Sequence, residues 1–243
     1  KFAKFIFLFF LFFAFFGTHL PFQDRIQEIE DTGTSNIFNQ FVFITVFVGA
    51  LITLWPKRIE LFGLIKQEKF LTIFLLWCSI SILWSQFSFV SLKRLFQIIT
   101  GLLACCSILV HAEDEMQIIK IFRSIVYLFL IVNLFSLLVI PAAIDPVHNS
   151  FRGITAHKNH LGQQSLLCLI LCYIISFSET DWRGKIIAHL MIFISFILLI
   201  GTRSSTSILS FLIIALIGIV IHLNSVLRRL KIGHLFIILV CLI

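Results

Sequence analysis

Residues 1–16 read KFAKFIFLFFLFFAFF and residues 192–200 read IFISFILLI, and these two stretches decide the class of fold. Each is an unbroken apolar run, whereas a strand of a membrane β-barrel would alternate apolar and polar residues over about ten positions. Of all residues, 59% are hydrophobic and only 13% are charged, against roughly 25% charged in a soluble globular domain. The sequence therefore predicts an all-α, polytopic integral membrane protein built as a helical bundle.

Eight apolar segments and the start of a ninth follow one another along the chain, so we expect about eight or nine transmembrane helices. A span needs about 20 apolar residues, and flanking Ser, Thr, Gly and aromatic residues lengthen the shorter segments. Residues 1–243 are predicted to form one transmembrane domain. The segments are Phe2–Phe16, Ile37–Trp55, Phe70–Trp84, Leu92–Val110, Ile118–Ala142, Leu161–Phe177, Ile186–Gly201, Ser207–His222 and Leu235–Ile243.

The distribution of Lys and Arg predicts the orientation in the membrane. If the N-terminus is cytoplasmic and every segment crosses, 13 of the 19 Lys and Arg residues lie on the cytoplasmic side and 6 on the outer side. Cytoplasmic loops carry the excess of Lys and Arg, so this bias supports a cytoplasmic N-terminus, and the net charge of +7 needs no nucleic-acid partner. Five of the outer cations need another reason to exist: Lys93, Arg94, Arg152, Lys158 and Arg203.

The outer loop predicted over residues 141–162 carries the strongest functional signal. Its segment Phe151–Gln164 reads FRGITAHKNHLGQQ, and polar groups so close to a bilayer indicate a functional site. Arg grips phosphate oxygens with a planar fork and Lys adds a compact charge. A helix beginning near Leu161 would add its N–H groups and positive dipole end. We therefore expect a site for an anionic, phosphorylated, lipid-linked substrate, formed by Arg152, His157, Lys158, Asn159 and His160.

Two further basic elements lie on the same predicted face. Arg203 and Ser204 belong to the stretch GTRSSTS of residues 201–207, in which hydroxyl residues flank an Arg in a way that suits phosphate or pyrophosphate. The pair Lys93-Arg94 precedes the fourth segment. Because all three elements come from separate loops on one face, a common pocket can join them. The alternative is that these side chains only snorkel to the lipid headgroups.

A metal site is an alternative use of the histidines in this segment. His157 and His160 stand three residues apart and would share a helix face, and His148 offers a third ligand. However, Lys158 inside the cluster would repel a cation, so we predict no metal. The two His residues then fit a general base or a hydrogen-bonding partner of the substrate, with plain loop residues as the alternative for either one.

The string RGITAHKNHLG, Arg152–Gly162, resembles the RG…HxNxLG segment of the O-antigen ligase and polymerase family, which includes the exopolysaccharide polymerization proteins of the ExoQ type. The string TRSSTS, Thr202–Ser207, is similar to the S-R-[ST] turn of that family, with Thr202 in place of the usual Ser. The two strings lie about two helices apart, as in the family. The chain begins with Lys and ends inside an apolar run, so we expect the N-terminal portion of such a protein.

The resemblance implies a glycosyltransferase of the GT-C type in the bacterial inner membrane that uses no metal or other cofactor. It would take an oligosaccharide from an undecaprenyl-pyrophosphate donor on the periplasmic face. The acceptor would be lipid A core in a ligase, or a second lipid-linked glycan in a polymerase. The implied catalytic residues are His157 and His160, and the implied substrate-binding residues are Arg94, Arg152, Lys158, Asn159, Arg203 and Ser204.

Two other functions stay open from the sequence. A transporter or flippase of a lipid-linked oligosaccharide, or of another anion, would place ionisable residues near the bilayer midplane, often on broken helices. The apolar segments carry almost no such groups, and Asn133 is their main polar residue at mid-depth. A non-catalytic assembly subunit is the third interpretation.

Overall fold

The computed structural model describes residues 2–16, 37–145, 149–155 and 157–223, and these residues are almost entirely helical. Prolines help to end two helices, because Pro56 and Pro141 each open a short 3-10 turn where an apolar run stops. The 3-10 turns are Trp55–Lys57, Ile82–Trp84 and Pro141–Ala143, and the strands are β1 (Ile144–Asp145) and β2 (Ser150–Phe151). The α-helices are α1 (Phe2–Phe16), α2 (Ile37–Leu54), α3 (Arg58–Gln67), α4 (Lys69–Ser81), α5 (Ser88–His111), α6 (Glu115–Val139), α7 (Lys158–Ser178), α8 (Trp182–Gly201) and α9 (Ser205–Leu223).

Five helical stretches are long and apolar enough to cross a membrane, in agreement with the predicted all-α membrane class. They are Phe38–Gln67, Ser88–His111, Met116–Val139, Lys158–Ser178 and Trp182–Gly201. Three further apolar helical stretches are shorter: Phe2–Phe16, Lys69–Trp84 and Ser205–Gly218. The count of eight or nine crossing helices, the GT-C architecture and the extent of a single domain stay predictions. The segment predicted at Leu235–Ile243 lies outside the described residues.

The helices cluster into two compact units, of which the first holds α1 to α5 and the start of α6. Within it, α1, α2 and α5 contact one another. Helices α2 and α5 run parallel. The rings of Phe47 and Phe96, both in the middle parts of their helices, lie 5.1 Å apart, and further along both helices Lys57 Nζ, just after α2, donates to the Val110 carbonyl at the end of α5, 2.9 Å away. This last bond satisfies one of the carbonyls that every helix leaves unpaired at its C-terminus.

The second unit holds α6 from Phe122 onward, the loop that follows it, and α7 to α9. Helices α7 and α8 pack against each other along their length, and Ser195 Oγ of α8 donates to the Ser165 carbonyl of α7 at 2.8 Å. Arg123 near the start of α6 forms an ion pair with Glu179, the residue that ends α7. The start of α9 contacts α7 at the opposite end of that helix.

Candidate functional site

The loop after α6 is a compact structure. Strands β1 and β2 pair antiparallel, with Ile144 opposite Phe151 and Asp145 opposite Ser150. The Ala143 carbonyl then accepts the N–H groups of both Arg152 at 2.9 Å and Gly153 at 3.0 Å. These bonds turn the chain back, so the predicted motif residues are held by backbone hydrogen bonds.

Asn133 anchors this loop to α6. Its side chain is fully buried six residues before the end of the helix, or about 9 Å below that end at 1.5 Å per residue. Its Oδ1 accepts the Ile154 N–H at 3.1 Å, while its Nδ2 donates to the Phe129 carbonyl at 2.9 Å. Lipid cannot satisfy a backbone N–H, so irregular backbone at this depth needs a protein acceptor. The sequence marked Asn133 as a polar intruder but did not connect it to the loop.

Gly153 is the residue that lets the loop approach Asn133 so closely. Its φ of +58° lies in the left-handed region, which residues other than glycine rarely adopt. A Cβ atom at this position would collide with Oδ1 of Asn133. The glycine of the RG pair is therefore required both by its backbone conformation and by its contact with α6.

Helix α7 begins at Lys158, three residues before the predicted start at Leu161, because His157 caps it. The Nδ1 atom of His157 accepts the Asn159 N–H at 3.1 Å, a role that Ser, Thr, Asp or Asn usually fills. The hydroxyl of Thr155 supports the cap, since its oxygen lies 2.7 Å from the Arg152 carbonyl oxygen and 3.0 Å from that of His157. Lys158, Asn159 and His160 thus lie in the first turn of a helix and not in a loop.

The cap has a consequence for the chemistry of His157. A neutral ring that accepts at Nδ1 carries its proton on Nε2, so Nε2 can donate a hydrogen bond but cannot accept a proton. Of the two roles predicted for His157, this arrangement suits a hydrogen-bonding partner of the substrate better than a general base. His160, in the first turn of α7, is exposed, and its predicted catalytic role stays a prediction.

The predicted cations of the loop differ in their surroundings. Arg152 is half-buried, and its Nε donates to the Ala142 carbonyl at 2.6 Å, which fixes the plane of the guanidinium. Lys158 is also half-buried, whereas Asn159 is exposed. The fold therefore orients the Arg152 guanidinium through Nε, and this bond does not use its two terminal nitrogens.

Arg203 lies in the sharp turn between α8 and α9. Its φ is +50°, and its N–H donates to the Ile200 carbonyl at 3.0 Å, in the position where a helix usually ends on glycine. Holding an L-residue in this conformation costs about 1–2 kcal/mol. The side chain is exposed, so the turn presents it at the surface of the unit. A non-glycine residue with a left-handed backbone is the kind of strain that is found most often at functional sites.

Ser204 is buried beside Arg203, and its predicted part in substrate binding stays a prediction. Only 1% of it is exposed, and its hydroxyl lies 3.1 Å from Ser207 Oγ and 3.2 Å from Thr206 Oγ1. The Ser204 carbonyl accepts the Ile208 N–H at 3.0 Å, so Ser204 is the residue that caps the start of helix α9 at Ser205. This environment favours a structural role for Ser204 over direct contact with a substrate.

The two motifs meet at Gly162. A Cβ atom there would lie 2.7 Å from Ser207 Oγ and 3.1 Å from Ser204 Cβ. The N-terminal parts of α7 and α9 are therefore in contact at a position where only glycine fits without displacing a neighbour. The ring of Phe151 lies against Gly201 in the same way, because a Cβ at Gly201 would overlap it. Residues between 42 and 50 positions apart in sequence are thus brought together. Arg94 is exposed on α5 of the first unit, and its predicted place in this site stays a prediction.

Metal ligation finds no support in the described part of the chain, where no three His, Cys, Asp or Glu side chains cluster. His148, the third ligand considered above, lies outside the described residues. Comparison of the chain with family models, with curated proteins and with solved structures finds no match in any of the three. What the site does must therefore be argued from its own residues and from the two motifs.

Proposed function

We propose that the chain is the membrane portion of an O-antigen or exopolysaccharide ligase or polymerase. It transfers a glycan from an undecaprenyl-pyrophosphate carrier on the periplasmic face of the bacterial inner membrane. The observation that carries this proposal is the contact of Gly162 with Ser204 and Ser207. It joins the two segments on which the family resemblance depends, although nothing in their sequence spacing requires them to touch.

The residues at this junction suit departure of a pyrophosphate. The leaving group gains negative charge in the transition state, so fixed cations and N–H groups aimed at it lower the barrier. Lys158 lies at the start of α7, where the helix dipole adds positive potential, while Arg152 lies in the loop before that helix and Arg203 in the turn before α9. His157 then donates to a substrate oxygen, and His160 receives a proton from the acceptor hydroxyl.

The burial pattern of ionisable side chains argues against a transporter. In the described part of the chain no Asp, Glu, Lys, Arg or His is buried, although a transport path would place such groups near the bilayer midplane. Both polar atoms of the Asn133 amide serve the fold. Transport of a lipid-linked glycan is therefore kept only as an outcome of the experiment below.

The test is a gel profile of surface polysaccharide in a host strain that lacks the gene and is complemented with the intact protein or its variants. Arg203→Ala and Arg203→Lys should both abolish long glycan chains, because a point charge does not replace the bidentate fork. Arg203→Gly is the decisive variant. It relieves the left-handed strain, so stability should be unchanged or rise by up to about 1 kcal/mol while transfer is lost.

The matched control is Arg183→Ala, which removes an exposed Arg that stacks on Trp182 at the other end of α8. This variant should leave the glycan profile unchanged. Normal long chains with Arg203→Gly would mean that Arg203 serves only the turn, and the proposed role would be abandoned. Glycan chains that form at wild-type length on the cytoplasmic side but do not reach the surface would instead indicate transport.

A further inference from the structure

The first turn of α7 is held by a hydrogen bond that only a neutral histidine can form. Nδ1 of His157 accepts the Asn159 N–H at 3.1 Å, and the backbone of His157 is extended, with φ −140° and ψ 141°. In the imidazolium ion the lone pair of Nδ1 carries a proton, so both ring nitrogens are donors. A protonated His157 would therefore point one N–H group at another, and the cap would be lost.

A histidine differs in this respect from the residues that usually cap helices. The hydroxyl and amide groups of Ser, Thr and Asn do not titrate near neutral pH, and Asp stays charged there. Histidine is the side chain whose charge ordinarily changes between about pH 5 and pH 8. The choice of residue at position 157 thus makes the start of α7 depend on pH.

The electrostatic surroundings also oppose a charged ring at this place. A helix N-terminus is the positive end of the helix dipole, where a further cation is unfavourable. Three of the nearby side chains are cations and one is an anion, so a proton adds charge to a region that is already positive. The charged and titratable side chains on the described segments around the cap are Asp145 of β1, Arg152 of the loop, Lys158 and His160 of α7, and Arg203 of the turn before α9.

The part of the chain that the cap controls is short. Before it, the Thr155 hydroxyl lies 2.7 Å from the Arg152 carbonyl oxygen, in a contact that does not involve the His157 ring. After it, Gly162 lies against Ser207 of α9 and is fixed by that packing. Loss of the cap should therefore loosen residues 158–160 while the loop before them and the helix after them keep their places.

We infer that His157 is a proton-sensitive cap, which orders the first turn of α7 when its ring is neutral and releases that turn when Nδ1 takes up a proton. Because the released state binds the additional proton, the ordered turn is present above the pH at which the ring titrates and is lost as the pH falls through it. Lys158, Asn159 and His160 are carried on this turn, so low pH disperses these predicted site residues. The inference concerns the conformation of the helix start, so it goes beyond glycan transfer and holds whether or not the site transfers a glycan.

The experiment is NMR spectroscopy of the intact protein with ¹⁵N-labelled backbone and histidine rings, between about pH 8 and pH 5. At the upper pH the ring of His157, assigned through correlation to its own backbone, should carry its proton on Nε2 and none on Nδ1. Hydrogen exchange is followed in the same samples and corrected for the intrinsic effect of pH. Protection of the Asn159 N–H should fall about five- to tenfold toward the lower pH, as expected for a lost cap and a charge placed against the dipole. Amides in the middle of α7 should keep their protection.

His157→Asn is the matched variant, because Asn caps a helix well but does not titrate in this range. Protection of the Asn159 N–H should then be equal at both ends of the pH range. The control is His160→Asn, which removes the other histidine of the same turn and should leave the wild-type pH response intact. The inference is overturned if wild type shows no pH response, if the response persists in His157→Asn, or if it vanishes in His160→Asn. A proton found on Nδ1 of wild-type His157 at the upper pH also overturns it, and this result needs no variant to fold.

Discussion

The two ends of the helix group α6 to α8 are held by opposite means. At one end, Arg123 of α6 forms an ion pair with Glu179, between α7 and α8. At the other end, the Asn133 amide binds the backbone of the loop, and Gly162 touches the serines that begin α9. Coulomb attraction falls off slowly with distance, so an ion pair tolerates small shifts, whereas close-packed contacts do not. The end that carries the motifs is thus the end whose geometry is fixed by steric fit.

The largest effect is expected from Gly153→Ala, which introduces a steric clash at the close contact between the loop and α6. The new Cβ meets Oδ1 of Asn133, and the left-handed backbone adds about 1–2 kcal/mol, so the total loss should be on the order of 3 kcal/mol. Thermal unfolding in detergent and the glycan profile should both show it. The matched control is Gly218→Ala in α9, where a Cβ meets nothing within 4 Å, and which should gain about 0.5–1 kcal/mol. A Gly153→Ala protein with wild-type stability would show that the loop is not held against α6.

An intermediate effect is expected from Asn133→Leu, which keeps the volume of the side chain but removes the acceptor. The N–H of Ile154, a half-buried residue, loses its partner, and this costs about 1–2 kcal/mol. Hydrogen exchange should accelerate in residues 153–155 while the protected core of α7 stays unchanged. Ser136→Ala is the control, because its hydroxyl bonds only to the Asn133 carbonyl within the same helix. Equal exchange rates in both variants would remove Asn133 from its role as the loop anchor.

The same contrast separates what could be predicted from what could not. The apolar runs predicted most of the described helices, because a backbone in lipid must satisfy its own hydrogen bonds, but they missed α3, which mixes polar and apolar residues and lies between two predicted segments. The start of α7 was placed three residues late, since a His cap is not part of the usual capping pattern. The contact of Gly162 with Ser204 and Ser207 could not be predicted, because it depends on how two helices pack and not on either sequence alone. Asn133 gave a signal, namely a lone amide in an apolar segment, but not the identity of its partner.

The smallest effect is expected at the opposite end, from Arg123→Gln and Glu179→Gln. The two side chains are 37% and 18% exposed, so water screens their attraction, and a double-mutant cycle should give a coupling of about 0.5–1 kcal/mol. Added salt should reduce that coupling, and the glycan profile should stay normal in both single variants and in the double variant. If either single variant instead lost transfer at unchanged stability, the ion pair would control the site from the far end of α7. The contrast drawn here, in which the ion-paired end tolerates change and only the close-packed end controls the site, would then be wrong.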